Sequence, residues 1–597
     1  MKKTIPLLSI LVMALSSCSF VEGFVEGVNK DNSRNSTSDT SLNTDSGSTN
    51  TGTSSDSSTS SAGSSQDSES SNNDSTTSDT SSTSTTDTST TSSSDTSTTT
   101  STSSDTSTTH RSGVVSVKFA GINDFHGHIE EEGDMVGLAK MSTYIKSKKS
   151  EGAIFCNSGD MWQETFLSSE CRGTIISKAF RNAGVDVNTL GNHDFDWGVG
   201  AIRLNEQAEY FNEATLGANI MSYPKTGSSW TKSDLGKEYK TFVINKGTDQ
   251  EVKIGVVGII GKDQLTSITS KYVQDYVFVD HNDTIKNVAT KLRQQEKCDI
   301  VVASCHTPAN QLDDSLFELD GNGKRKYIDG AFTAHDHAMY ADTVYNAPVL
   351  EAQSYGRYGS EFTLAFNLDS GKVEQVQYEN VKLANLSLKE DAAVKTEVDA
   401  LVAECDKKGN TEYGSVTGTF SKSNIGRWQA QCAAEKAAEL GINIDYSIVN
   451  SARASLYRGK VNHYKMFETH PFINELYVVK VSMKDVYGEI YTYDNPFYRV
   501  TTKALENDSS KYVTILVYDY LLFHVSVNDT TYEKRYNYFS SLNTSGQVPT
   551  VLTDKDGTKI NVLDLTINDL KKKGSINPSD YNTSNWHNSN EYLTTAY

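Results

Sequence analysis

Beyond about residue 113 the sequence predicts an α/β fold with a sheet covered on both faces. Two observations carry this: short apolar, β-branched runs recur, and segments of helical periodicity lie between several of them. Val114 to Ile122 (VVSVKFAGI) reads as the first strand, and Leu138, Met141 and Ile145 then share one helical face. The order returns in Ala153-Ile154-Phe155 followed by Ile175, Ile176, Ala179 and Phe180, with Gly184 as the stop of that helix. Val185 to Leu190, Val252 to Ile260, Ile300 to Ala303 and Gly330 to Thr333 supply further strands, and Ile285, Val288 and Leu292 form a helical face before Ile300. Past about Ser370 the pattern changes: Val394, Val398, Leu401 and Val402 read as a linking helix, and a tyrosine-rich, less regular region follows Gly414. The expected domains are residues 114–375, a linking helix within 376–410, and a smaller α/β domain over 411–597.

The start of the chain is of another kind. In MKKTIPLLSILVMALSSC two lysines precede an apolar run too short to stay in a bilayer, the pattern of an export signal over residues 1–17. Leu15-Ser16-Ser17-Cys18 resembles the lipobox of bacterial lipoproteins. That implies cleavage before Cys18 and lipidation of its thiol, an ordinary signal peptide cut nearby being the alternative. From about Asp31 to Arg111 the chain is almost wholly Ser, Thr, Asp, Asn and Gly, so residues 18–113 read as a disordered tether. With Cys18 anchored, the tether would hold the folded part off the outer face of the cell membrane. The formal net charge of −21 argues against nucleic acid as a partner, whereas bound metal ions would let a small anionic substrate in. None of the seven cysteines has a CxxC spacing, and Cys156 and Cys305 lie in strand-like runs where free buried thiols are favoured over bridges.

Chemistry gathers where the strands end. Asn123-Asp124-Phe125-His126 follows the first strand, Asn157-Ser158-Gly159-Asp160 the second, and Gly191-Asn192-His193-Asp194-Phe195-Asp196 the third; Cys305-His306 and Ala334-His335-Asp336-His337 close two more. In an extended loop alternate side chains point the same way, so Asp124 and His126 can hold one ion while Phe125 turns inward, and His335 and His337 repeat that spacing. Gly159 and Gly191 would let the backbone bend sharply and approach the site closely. Mixed oxygen and nitrogen donors suit Mn, Zn, Fe, Co or Mg.

The series DFH, GD, GNHDFD, H and HDH resembles the calcineurin-type metallophosphoesterases, in a setting that resembles the bacterial 5′-nucleotidase family. Asn123 to His128 (NDFHGH) and Leu190 to Gly198 (LGNHDFDWG) carry most of the likeness, which runs from about Val114 to Phe366. It implies a sandwich of mixed sheets flanked by helices. It also implies two divalent ions: one surrounded by Asp124, His126, Asp160 and His337, the other bridged by Asp160 and held by Asn192, His306 and His335. Asp160 can bridge because its two oxygens have lone pairs enough for both ions. Such a pair lowers the pKa of a shared water and clamps the phosphoryl oxygens during in-line attack. His193 and Asp196 match the family's His–Asp pair, which implies that His193 stabilises the phosphoryl group or protonates the leaving oxygen while Asp196 fixes its tautomer. The chain departs from the family pattern at Ala334, where glycine is usual, and at Cys305-His306-Thr307-Pro308, where SHxG is frequent.

Asn450-Ser451-Ala452-Arg453, Gly459 and His470-Pro471-Phe472-Ile473-Asn474 resemble the family's carboxy-terminal nucleotidase domain. The resemblance implies that Arg453 and Asn474 line the substrate cleft, the arginine offering its fork of donors to phosphate or carboxylate oxygens. One residue fewer separates Asn450 from Arg453 than is usual, and the family's GGDGY-like stretch is not visible. Phe497 or Tyr498 can take the place of the first base-stacking ring and Tyr532, Tyr536 or Tyr538 that of the second, with core packing the alternative for each. His128 reads as a neighbour of the ligands or an exposed residue. The expected activity is hydrolysis of nucleoside 5′-monophosphates or 2′,3′-cyclic nucleotides outside the membrane. One alternative keeps the metals and takes a nucleotide-sugar diphosphate or another phosphate ester. The other is a non-catalytic adhesion or binding lipoprotein, against which His193 and Asp196 argue.

Overall fold

The computed structural model describes residues 111–207, 210–211, 214–222, 230–472, 474–492, 495–500, 508–527, 532–535 and 539–581. The export signal, Cys18, the tether up to residue 110, Tyr536, Tyr538 and the side chain of Tyr532 lie outside the described residues.

Strand β1 (Val114–Ile122) leads through a loop to α1 (Gly137–Ser150), β2 (Ile154–Asn157), α2 (Thr174–Ala183), β3 (Val187–Thr189) and β4 (Thr215–Leu216). Gly184 ends α2 at φ 103°, a conformation in which a side chain would clash with the backbone. Next come β5 (Tyr239–Ile244), β6 (Val252–Ile260), α3 (His281–Gln294), β7 (Ile300–His306) and β8 (Gly330–Phe332). Asp280 starts α3 by accepting from the Asp283 amide. Two antiparallel hairpins complete this half, β9 (Met339–Val344) with β10 (Ala347–Ala352) and β11 (Tyr358–Asn367) with β12 (Lys372–Lys382).

The alternation of strand and helix alone predicts one sheet with helices on both faces; the structure has two six-stranded mixed sheets facing each other, the sandwich flanked by helices that the resemblance implies. Their orders are β12-β11-β1-β2-β3-β4 and β9-β10-β8-β7-β6-β5. Val115, Val117, Phe119, Ile154 and Val187 of one meet Val252, Ile254, Val256, Ile300 and Val302 of the other in a shared core. Helices α1 and α2 cover the outer face of the first sheet and α3 that of the second. A central strand such as β7, buried at every residue, reads the same whether its second neighbour is a helix layer or another sheet.

Helix α4 (Ala392–Gly409), capped by Asp391, leads into the second half. There β13 (Glu412–Val416), α5 (Lys422–Glu439), β14 (Tyr446–Ile448), β15 (Gly459–Asn462), α6 (His463–Thr469), β16 (Leu476–Ser482), β17 (Phe497–Arg499), β18 (Tyr512–Tyr518), β19 (Thr550–Val551), α7 (Val562–Lys573) and β20 (Ser575–Ile576) follow. A five-stranded sheet has the order β17-β14-β18-β16-β19 and a three-stranded one β15-β13-β20. The alanine face of α5 packs on the larger sheet, and Trp428 and Cys432 of the same helix pack against α7 and the smaller one. All six cysteines among the described residues are buried and none is joined in a disulfide.

Candidate metal centre

β1, β2 and β3 run parallel, as do β6, β7 and β8, so the loops that follow them emerge at one rim. The backbone there is not the extended loop that the spacing of Asp124 and His126 suggests. Asp124, His126, Asp160, His335 and His337 have φ values of 48°, 49°, 53°, 91° and 58°, the left-handed region that costs a residue bearing a Cβ about 1–3 kcal/mol. Each of these five donors is turned by its own strained residue, and Phe125 is buried between two of them. The loops also touch: a Cβ on Gly159 would meet His306 Nδ1 at 2.5 Å, and one on Gly191 would collide with Asp160 Oδ1. Gly159 alone of the two has a positive φ, so Gly191 serves close approach rather than a sharp bend.

Two groups of donors result: Asp124, His126 and His337, and Asp160, His306 and His335, the ligand atoms of each lying within 4.8 Å of one another. Asn192 joins the second, its Oδ1 3.1 Å from His306 Nε2 and 2.9 Å from His335 Nδ1. Asp160 belongs to both through a single oxygen, Oδ2, which is 3.1 Å from His306 Nε2 and 3.8 Å from His126 Nε2. Its other oxygen, Oδ1, accepts the His193 amide at 2.7 Å and keeps a second lone pair.

The surroundings fit divalent cations. His126 Nδ1–H donates to the Gln163 carbonyl at 3.0 Å and His306 Nδ1–H to that of Ser158 at 2.9 Å, which turns the lone pair of each Nε2 to the centre. Asp124 Oδ2 accepts from Asn123 Nδ2 and the His335 amide, whereas Oδ1, wholly buried, accepts no hydrogen bond and faces His126 Nε2 and His337 Nε2 at 3.7 and 3.5 Å. His126 Nε2 and His337 Nε2 themselves stand 3.2 Å apart. Imidazole nitrogens and a bare carboxylate oxygen converging on one point are what a cation satisfies. The electrostatics agree. Burial alone would lower His126 and His306, but Asp124 chiefly around the first and Asp160 around the second push both up to about 9. Burial likewise opposes the ionisation of Asp124 and Asp160, yet the imidazoles hold both well below the usual carboxylate range.

Beside the donors, His193 Nδ1–H donates to Asp196 Oδ2 at 2.7 Å. Burial opposes its protonation, but Asp196 and Asp160 raise its pKa. Asp194, between the two, was given no role by the sequence. Its carboxylate accepts the amides of Gly191, Met161 and Asp160 at 2.9, 2.9 and 3.2 Å and so ties the second loop to the third. Tyr355, equally unmarked, donates its amide to the Asp124 carbonyl and lays its ring 5.3 Å from that of His337 and 4.4 Å from that of His128. Burial among these groups pushes His128 down to about 4.

The second half reaches this rim through residues the sequence only partly named. Phe472 stacks on His193 with ring centroids 6.2 Å apart and planes 25° apart. Gln163 Nε2 donates to the Pro471 carbonyl at 3.1 Å. Arg453 does come to the rim, but Nε and Nη2 of its fork donate to Glu164, each at 3.3 Å. Burial would raise Glu164, yet Arg453 and His126 hold it at about 2. Asn474 donates to Asp519 Oδ1 at 3.0 Å, and Asp519 is paired in turn with Lys271. Phe497 packs into the apolar cluster of β14, β16 and β18, and Tyr498 against the residues around α5. Both rings expected to stack on a base are half-buried, packed on one side against these clusters.

No family model matches the chain. Over 409 residues, 61% of this chain, it is 23% identical to the trifunctional nucleotide phosphoesterase protein of Bacillus subtilis, and over 423 residues 23% identical to a 5′-nucleotidase of Vibrio vulnificus, 73% of which is covered. The chain spans 26% of the length of the Bacillus protein and no more than 38% of two further curated relatives. A solved structure of a 5′-nucleotidase precursor from Thermus thermophilus aligns with 77% of this chain and 97% of its own, at a TM-score of 0.60 and 15% identity.

Proposed function

We propose that this chain, which shares the fold of the 5′-nucleotidases and has nucleotide phosphoesterases among its relatives, hydrolyses nucleoside 5′-monophosphates, 2′,3′-cyclic nucleotides or both. The observation that carries this reading is the meeting of two donor clusters at Asp160 Oδ2, with His193 alongside. Asp124, His126 and His337 with Asp160 would hold one divalent ion, and Asp160, Asn192, His306 and His335 the other. Bound there, the ions supply the positive charge that acidifies water and screens phosphoryl oxygens.

The protein's own share is positional and acid–base. Asp196 fixes the Nδ1 proton of His193, so Nε2 is the atom left to hold a proton for the leaving oxygen. Phe472 of the second half lies stacked beside that ring. The left-handed backbone sets the donors before any substrate arrives, which removes reorganisation from the reaction. The lipobox-like LSSC before the Ser/Thr-rich stretch supports an exported, membrane-anchored chain acting outside the cell membrane.

A screen of phosphate release from nucleotides with Mn, Zn, Co and Mg tests the proposal. Release from nucleotides is the expected outcome; release only from aryl phosphates would leave a phosphoesterase of other specificity. That second reading, a nucleotide-sugar diphosphatase or other phosphate-ester hydrolase, is favoured by one observation, the packing of Phe497 and Tyr498 into apolar clusters.

A further inference from the structure

Glu164 and Arg453 form a pair that the proposed chemistry does not use. Glu164 lies in the loop that carries Asp160, while Arg453 comes from the second half, 289 positions away in sequence. The guanidinium grips the carboxylate side-on through Nε and Nη2, and Oε2 stands 3.5 Å from His126 Nδ1 on the other side. Glu164 sits at φ 155°, in a region that residues with a Cβ rarely adopt, so the fold bears local strain to keep this carboxylate in place. A fixed negative charge therefore stands against a donor histidine, and it occupies the arginine fork that would otherwise meet an anion.

We propose that Glu164 sets the charge the cleft accepts, so that the site takes a phosphate bearing one negative charge, a diester or cyclic phosphate, in preference to a dianionic monoester. The inference rests on the phosphoesterase reading above and chooses between its two substrate classes. A second phosphoryl charge would face Glu164 with Arg453 already engaged, in surroundings that screen charge far less than water does. Drawing Arg453 away to meet that charge would strand a half-buried carboxylate beside the donors.

Binding by two small esters tests this without need of turnover. Phenyl phosphate is a dianion at pH 8 and methyl phenyl phosphate a monoanion, and they differ by one methyl group. Calorimetric titration of the full chain loaded with Mn is expected to show tighter binding of the diester. Glu164→Gln should shift the ratio of affinities toward the monoester by about tenfold. Glu164→Gly, which relieves the backbone at φ 155°, should shift it in the same direction and serves where the glutamine variant does not fold. A parent that prefers the dianion overturns the proposal, and so does a ratio that the folded variants leave unmoved. The expected ratios without release of phosphate or alcohol from any ester would sink the hydrolase reading and leave this one standing.

Discussion

The two halves bring side chains to the same rim by different means. In the first, five of the donors stand on left-handed backbone, and all thirteen non-glycine residues with positive φ among the described residues precede Gly356. In the second, Arg453, Phe472 and Asn474 stand on ordinary backbone and are held by a salt bridge, a stacked ring and an amide bond to Asp519. The first half stores strain so that its donors have one geometry; the second relies on contacts that a few side chains can make or lose. Chemistry should therefore be fragile to changes in the first half, and selectivity to changes in the second.

The sharpest break would come at the shared carboxylate. Asp160→Asn is expected to cut turnover by about three orders of magnitude and to lower metal content, read by phosphate release and elemental analysis. A variant near parental activity would remove Asp160 from the centre. His193→Ala should lower kcat by about 10²- to 10³-fold while metal content stays at the parental value. Loss of metal in that variant would make His193 a donor instead of an acid.

Asp194→Asn probes the tie between loops. Because the carboxylate accepts three amides, the substitution should cost about 1–3 kcal/mol in urea unfolding and weaken metal binding by roughly tenfold or more. Unchanged values on both measures would show that the strained backbone holds itself. Glu351, whose Oε1 accepts the Ala338 amide at 2.9 Å beside His337, gives a pH test of the loop that carries His335 and His337. Burial, then the hydrogen bond with Asp336, raise its pKa from 4.5 to about 10. The stability it contributes is full below pH 4.5 and is lost as the pH rises toward 10. Glu351→Gln has no proton to lose, so in chelator its Tm should gain on the parent between pH 5 and pH 8, by at most about 3 °C per pH unit. A gap that does not change with pH would contradict the buried, protonated state. The smallest effect belongs to the second half: Phe472→Ala should raise KM by about threefold to tenfold with kcat nearly kept. A fall in kcat instead would place the ring in the acid–base machinery.

The strand ends were legible because each donor cluster follows an apolar run within a few residues, and local pattern suffices for that. β9 and β12 were not, since Met339 and Tyr378 face outward and these half-exposed antiparallel strands lack a clean apolar run. The left-handed turns at Asp124 and His126 could not be read, because no glycine marks them and only the packed loops around them impose that φ. Glu164 owes its place to a contact across nearly three hundred residues, for which a single sequence carries no signal, while Phe472 lay in a quoted motif without its partner His193 being legible. Asp194 lay inside a motif already quoted, and a second acidic residue there beside Asp196 was the one available hint.

The buried thiols offer a clock. Cys156, Cys171, Cys298 and Cys305 sit in the first half, Cys405 on α4 and Cys432 on α5. Burial raises the thiols at positions 156, 298, 305 and 432, that of Cys298 to about 11. An alkylating reagent near neutral pH therefore reaches them only when their surroundings open. The order in which these six positions acquire mass would record which part of the chain lets go first.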